Sequence, residues 1–344
     1  MNDLWTLDHV SLGQRLRDVT LRIAGGVTAV LGPSGAGKTS LLNLLVAFEQ
    51  ADAGSVTAHV GLEAHTRPLF WAPQGDGLWP HLTVREHLQA VAGEGRARPP
   101  DAPSCVAARV PRAAAADTAA ATTGGGSGGP ALPDADALLA EFDLTPRAHA
   151  RPETLSQGER ARLAVARALA ADARVLVMDE PLAHVDPARV GKYWDVLSRR
   201  MEQAGTALVF ATHVPGTVLA QAQQVICLRD GRVVYAGGVE ELYASPPTAE
   251  LAECLGEANW MEPADARLWL QREEAAARCL RPERIVVVPV ADSPLVVESA
   301  RFHGAVAEVV LRHEASSATR RFWHRPAGSG LAKGMRVRVA ETLS

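Results

Sequence analysis

The chain has 344 residues, 47% hydrophobic and 22% charged, with a formal charge of −4 at neutral pH. Its length predicts two domains, or one large domain with an appendage, and its apolar share is enough for a sizeable core. The mild acidity excludes a chain-wide basic footprint for nucleic acid, no run approaches the roughly 18 apolar residues of a membrane span, and the start MNDLWTLDHV predicts no leader peptide.

In chain order, Asp18–Ile23 alternates as a half-buried strand does, and Val27–Leu31 is a continuous apolar run of buried-strand length. That run ends in the glycine-rich segment Gly32-Pro33-Ser34-Gly35-Ala36-Gly37-Lys38-Thr39-Ser40, and a helical pattern over Ser40–Phe48 follows. Residues 93–134 hold seven glycines and six prolines with almost no large aliphatics, which predicts a disordered insertion. Helical spacing returns at Ala135–Phe142 and Gly158–Ala171. A strand is predicted at Arg174–Met178, a helix at Pro187–Ala204, a strand at Ala207–Thr212 and a hairpin around Asp230-Gly231. This strand–helix alternation predicts an α/β fold with a parallel sheet covered by helices. Residues 241–280 read as a helical connector. From Arg281 onward the pattern is Val-rich and punctuated by turns, as in a small all-β domain.

Gly32 to Thr39 fits the phosphate-cradling pattern G-x-x-x-x-G-K-[ST], in the strand–loop–helix frame that the motif requires. Glycines let backbone N–H groups turn inward toward phosphate oxygens, and the helix start adds its positive end. Lys38 has the reach to bridge β- and γ-phosphates, and Thr39 offers a hydroxyl to Mg²⁺. Lys38 is one of only three lysines among 35 basic residues, Lys192 and Lys333 being the others. A compact ammonium suits that position, and a planar guanidinium does not. Further along, the apolar run Arg174–Met178 delivers Asp179 and Glu180 at its C-terminal end, where open α/β sheets place ligands. Asp179 is expected to complete the metal site begun by Thr39, and Glu180 to polarise the water that attacks the γ-phosphate.

Leu155-Ser156-Gln157-Gly158-Glu159, Trp71-Ala72-Pro73-Gln74, Glu180 to Asp186, and Ala211-Thr212-His213 join the cradle in a fixed order. The set resembles the ABC-type ATPases: a signature written LSGGQ, a Q-loop, a D-loop ending in Asp186, and a switch histidine. The resemblance implies a P-loop ABC ATPase fold with a helical subdomain over residues 1–240, binding ATP with Mg²⁺. It implies that Gln74 contacts Mg²⁺ or the attacking water and that His213 reaches the γ-phosphate. Ser156 and Gly158 would face the nucleotide of an opposite subunit, giving a homodimer with ATP sandwiched between copies. Gln157, Glu159 and His184 depart from the family's usual residues. The aromatic that usually stacks on adenine has no clear counterpart: the register puts Leu12 in that slot, with Trp5 as an outside candidate.

The resemblance extends to class. The patterns at Leu280–Val287, Phe302–Val309 and Gly334–Val339 resemble the OB-like (TOBE-type) domain of importer ATPases that serve oxyanions, ferric iron, polyamines or sugars. Short stretches around the cradle lean toward the molybdate or tungstate group. An importer ATPase would sit peripherally on the cytoplasmic face of the inner membrane. Its expected partners are separate permease subunits and, indirectly, a solute-binding protein, with no nucleic acid. The alternatives are a soluble ABC ATPase acting on nucleic acid or ribosomes, and an exporter ATPase. The four cysteines form no C-x-x-C pair, so free thiols are expected.

Overall fold

The structure is a computed structural model that describes residues 3–61, 67–75, 77–92, 134–326 and 330–342. All of the expected insertion at 93–134 except Asp134 lies outside the described residues. The chain divides into two compact units, Met1–Ala236 and Gly237–Ser344.

The first unit holds strands β1 (Asp3–Leu12), β2 (Leu16–Ala24), β3 (Val27–Leu31), β4 (Ala53–Ala58), β5 (Arg67–Ala72), β6 (Ala173–Asp179), β7 (Ala207–Thr212) and β8 (Gln224–Arg229). β9 (Arg232–Gly238) runs across its end. The helices are α1 (Lys38–Leu45), α2 (Val84–Ala92), α3 (Ala135–Glu141), α4 (Gln157–Ala170), α5 (Pro187–Ala204) and α6 (Pro215–Gln221). One sheet runs in the order β5-β6-β7-β3-β8-β9, with parallel pairing from β5 through to β8. β7 is buried at every residue and β6 at all but one. That explains why these strands read as continuous apolar runs and not as alternations. A second, antiparallel sheet has the order β2-β1-β4.

The core between the two sheets settles one open expectation. Trp5 is fully buried, and its indole N–H donates to Leu45 O at 3.0 Å, tying β1 to the end of α1. It is a core residue. Leu12 is also turned inward, 5% exposed.

The second unit carries α7 (Val239–Ala244), α8 (Ala249–Cys254), β10 (Asn259–Met261), α9 (Pro263–Leu270), β11 (Arg278–Leu280), β12 (Ile285–Pro289), β13 (Leu295–Phe302), β14 (Ala307–His313), β15 (Thr319–His324) and β16 (Arg336–Glu341). Its five-stranded sheet, β12-β16-β13-β14-β15, has antiparallel pairing throughout. Just after β15, Arg325 N–H donates to Ile285 O at the start of β12 at 2.9 Å, so the two edge strands of this small antiparallel sheet meet. Met261, Trp269, Leu270 and Leu280 join the β-domain's core, so the stretch read as a helical connector packs into this unit. Cys227, Cys254 and Cys279 are free thiols.

Candidate functional site

The cradle is shaped by two close approaches. A Cβ on Gly32 would lie 2.4 Å from Leu228 O, and one on Gly37 would lie 2.5 Å from Arg15 O. Gly37 also has φ 103°, a left-handed conformation that caps α1. Only glycine permits the loop to fold this tightly between the β1–β2 turn and β8. Lys38 is 9% exposed, and its ammonium donates to Gly32 O (2.8 Å) and Pro33 O (3.1 Å). The lysine therefore lies across its own loop, with its charge at the loop's mouth.

The cradle and the acidic strand end meet directly. Thr39 Oγ1 donates to Asp179 Oδ2 at 2.6 Å, linking the start of α1 to the end of β6. Burial pushes the Asp179 carboxyl above its ordinary value; the Thr39 hydrogen bond works the other way, and the Glu180 charge adds to the rise. A cation beside Asp179 would offset that penalty. Two hard oxygen donors fit Mg²⁺, which takes much of its shell from phosphate and water.

Glu180 is held from the next strand. Its backbone N–H donates to Ala211 O at 3.0 Å, and His213 Nδ1 lies 2.7 Å from its Oε1. An ionised carboxylate only accepts, so His213 Nδ1 carries the proton in this pair. Thr212 Oγ1 donates to Glu180 Oε2 at 3.4 Å. Gln74, Asp179, Glu180 and His213 line one cleft of ≈140 Å³. That constellation can hold a metal, a γ-phosphate and an attacking water side by side.

Ser156 and Gly158 stand elsewhere. Ser156 caps α4: its Oγ accepts from Glu159 N–H (3.2 Å) while Glu159 Oε2 accepts from Ser156 N–H (2.8 Å). This reciprocal capping box contributes about 1 kcal/mol and explains why Glu159 serves at that position. With Asp186, they line a second recess of ≈370 Å³ that contains neither the cradle nor Glu180. His184 lines both spaces. A Cβ on Gly158 would lie 3.0 Å from His184 O, so the D-loop and the signature helix are in near contact within one chain.

The sequence did not indicate three further residues. Thr212 steadies Glu180. Arg167, 2% exposed on α4, donates to Gly77 O at 2.5 Å and lies over the Trp79 and Phe70 rings, joining the signature helix to the segment after Gln74. His87, fully buried, accepts from Trp79 N–H at 2.8 Å through Nε2 and donates to Thr83 O through Nδ1. Burial drives its pKa down, which keeps the neutral form that this pair of bonds requires. The Thr212–Glu180 and Arg167–Gly77 contacts cross 32 and 90 residues, so spacing carries no trace of them, whereas the His87 bonds to Thr83 and Trp79 are local, four and eight residues away.

Comparison with known proteins gives a consistent picture. The family model described as "ABC transporter" matches residues 16–183. The "Fe(3+) ions import ATP-binding protein FbpC" of Pseudomonas fluorescens (strain Pf0-1) is 31% identical over 84% of this chain and 81% of its own length. The "Molybdenum import ATP-binding protein ModC" of Methylococcus capsulatus is 33% identical over 71% of this chain, which spans 62% of that relative. The "Spermidine/putrescine import ATP-binding protein PotA" of Chromobacterium violaceum is 31% identical over 72% of this chain and 62% of its own. Among solved structures, "Structure of ATP binding subunit of ABC transporter" superposes with TM-score 0.51 at 22% identity, covering 70% of this chain and 92% of that one. At that identity the likeness is one of fold.

Proposed function

The chain belongs to the ABC transporter ATP-binding family, and we propose that it is the ATP-hydrolysing subunit of an importer. The observation that carries this reading is the junction of cradle and hydrolytic strand: Thr39 bonded to Asp179, with Glu180 and His213 paired beside them. Lys38, the cradle N–H groups and Ser40 hold the phosphates, while Thr39 and Asp179, aided by Gln74, are placed to hold Mg²⁺. The metal, when bound, neutralises charge on the β- and γ-phosphates. Glu180 orients the attacking water and accepts its proton, and His213 and Thr212 fix the direction of the carboxylate.

The separation of the two spaces supports a two-fold dimer. Ser156, Gly158 and Asp186 line a recess that contains neither the cradle nor Glu180, which favours a second copy as the source of the signature that meets a γ-phosphate bound at Lys38. ATP then joins the copies, and hydrolysis releases them. Transport is assigned to separate permease subunits, as the import ATP-binding relatives suggest; no helix among the described residues is long and apolar enough to cross a membrane. The subunit works peripherally, at the cytoplasmic membrane face, with a solute-binding protein upstream. The relatives named for ferric iron, molybdenum and polyamine are 31%, 33% and 31% identical to this chain, and what they share is the importer class. Co-expression with a candidate permease and its solute-binding protein is the test. Membrane-bound complex with ATPase stimulated by solute-loaded binding protein is expected, and a protein that never joins a permease overturns the importer reading.

A further inference from the structure

The trailing end of the cradle has a planar cation where the sequence offers no aromatic shelf. The hydrolytic residues mark the γ-phosphate end, so the phosphate chain runs from there past Lys38 toward Ser40. The nucleoside continues toward the β1–β2 turn, whose Arg15 carbonyl abuts Gly37. Neither hydrophobic candidate is free to meet a base there: Trp5 is sealed in the core with its N–H on Leu45 O, and Leu12 is turned inward.

Arg15 is the last residue of that turn, directly before β2. Its Nη1 donates to Ser40 Oγ at 3.2 Å and to Glu49 Oε1 at 3.0 Å, and its Nη2 bonds Glu49 Oε2. Glu49 is itself held by Asn43 Nδ2 at 2.8 Å. The bidentate fork fixes the plane of the guanidinium by its edge. An edge-held guanidinium keeps its faces available, and the Arg15 side chain is 53% exposed. Guanidinium faces stack on aromatic rings, and a purine is such a ring.

We propose that Arg15 is the base-contacting residue of this site, its guanidinium stacking on the purine in place of an aromatic side chain while Glu49 and Ser40 hold it in plane. The assignment rests on the ATP reading above and adds the residue that grips the nucleoside. It makes the grip one of planar stacking, dependent on Glu49.

The test compares two ligands of the same cradle, a non-hydrolysable ATP analogue and inorganic tripolyphosphate, each with Mg²⁺. Arg15→Ala is expected to weaken the analogue about fivefold and leave tripolyphosphate unchanged. Arg15→Lys, which keeps the charge but has no planar face, should behave like Arg15→Ala, and Arg15→Tyr should recover most of the loss. Glu49→Gln, which loosens the fork without touching Arg15, should give a smaller loss confined to the analogue. Equal weakening of both ligands would place Arg15 on the phosphates and overturn the proposal, as would unchanged analogue binding in Arg15→Ala. Recovery by lysine would overturn it too. Wild-type protein that bound neither ligand would instead overturn the ATP reading, and this assignment with it.

Discussion

His213 Nδ1 lies 2.7 Å from Glu180 Oε1, joining the residue after β7 to the residue after β6. The pair makes the carboxylate a directed acceptor. Glu180→Gln preserves shape and removes the base, so it should keep ATP affinity while lowering turnover at least about 100-fold. Phosphate release and nucleotide binding measured on the same preparation check this, and size-exclusion chromatography with ATP should show a longer-lived dimer. His213→Ala, which frees the carboxylate to rotate, should also slow turnover with little effect on ATP binding.

Gly158 tests the near contact with the D-loop. In helix α4 alanine gains about 1 kcal/mol of propensity over glycine. Its Cβ would nevertheless sit 3.0 Å from His184 O, and the loop would have to give way by a few tenths of an ångström. Gly158→Ala should therefore leave the melting temperature nearly unchanged and cut steady-state ATPase at least about tenfold, with binding of the first ATP intact. An unchanged rate would show that the D-loop position is slack.

Asp143 provides the pH test. Its carboxylate accepts from Lys192, Tyr193 and Arg189 on α5, tying the end of the α3 turn to the helix that follows the D-loop. The Lys192 bond is the largest influence holding its pKa below the ordinary 3.8, against burial. With the folded value depressed, the stabilisation is complete above the ordinary carboxylate value and is lost as pH falls through the lower, folded one. The side chain is 32% exposed, so screening limits the effect to about 1 kcal/mol. Asp143→Asn should lower the melting temperature by about 2–4 °C at pH 7, a gap that narrows below about pH 4. A gap that stays constant with pH would remove the ionic contribution.

Trp5 separates packing from ligand binding. Trp5→Phe leaves Leu45 O without its donor and a gap in the core, costing about 2 kcal/mol, or about 4–8 °C in melting temperature. ATP affinity should not change. A loss of affinity at unchanged stability would return Trp5 to the nucleotide.

Most of the first unit was legible in the sequence, because its strands are buried on both faces and its motifs are local. Val27–Leu31 with Gly32–Thr39 is one continuous stretch, and the structure finds a strand, a loop and a helix there. Glu180 and His213 sat in recognisable slots, but their hydrogen bond crosses 33 residues and no spacing rule foretells it. Lys192 shows the limit more sharply. Nothing in its spacing names a partner, yet it bonds both carboxylate oxygens of Asp143 at 2.8 Å. Its partner is 49 residues away on a turn whose position only the tertiary fold determines. The buried Arg167 was hidden by the same logic: a cation in an alanine-rich helix reads as solvent-facing until the Gly77 carbonyl and two rings are found around it.

Glu180, Leu182 and His184 alternate in the left-handed region, at φ 52°, 59° and 63°. For residues with a Cβ each such position costs on the order of 1–2 kcal/mol, and none of the three is glycine or asparagine. Selection for durability alone would place glycine at the exposed position 184, whereas Leu182, 3% exposed, would lose more by losing its buried side chain than relief of strain returns. At His184 thermostability and turnover therefore pull against each other, and a stabilised variant found by heat challenge without an ATPase screen would be drawn to that residue first.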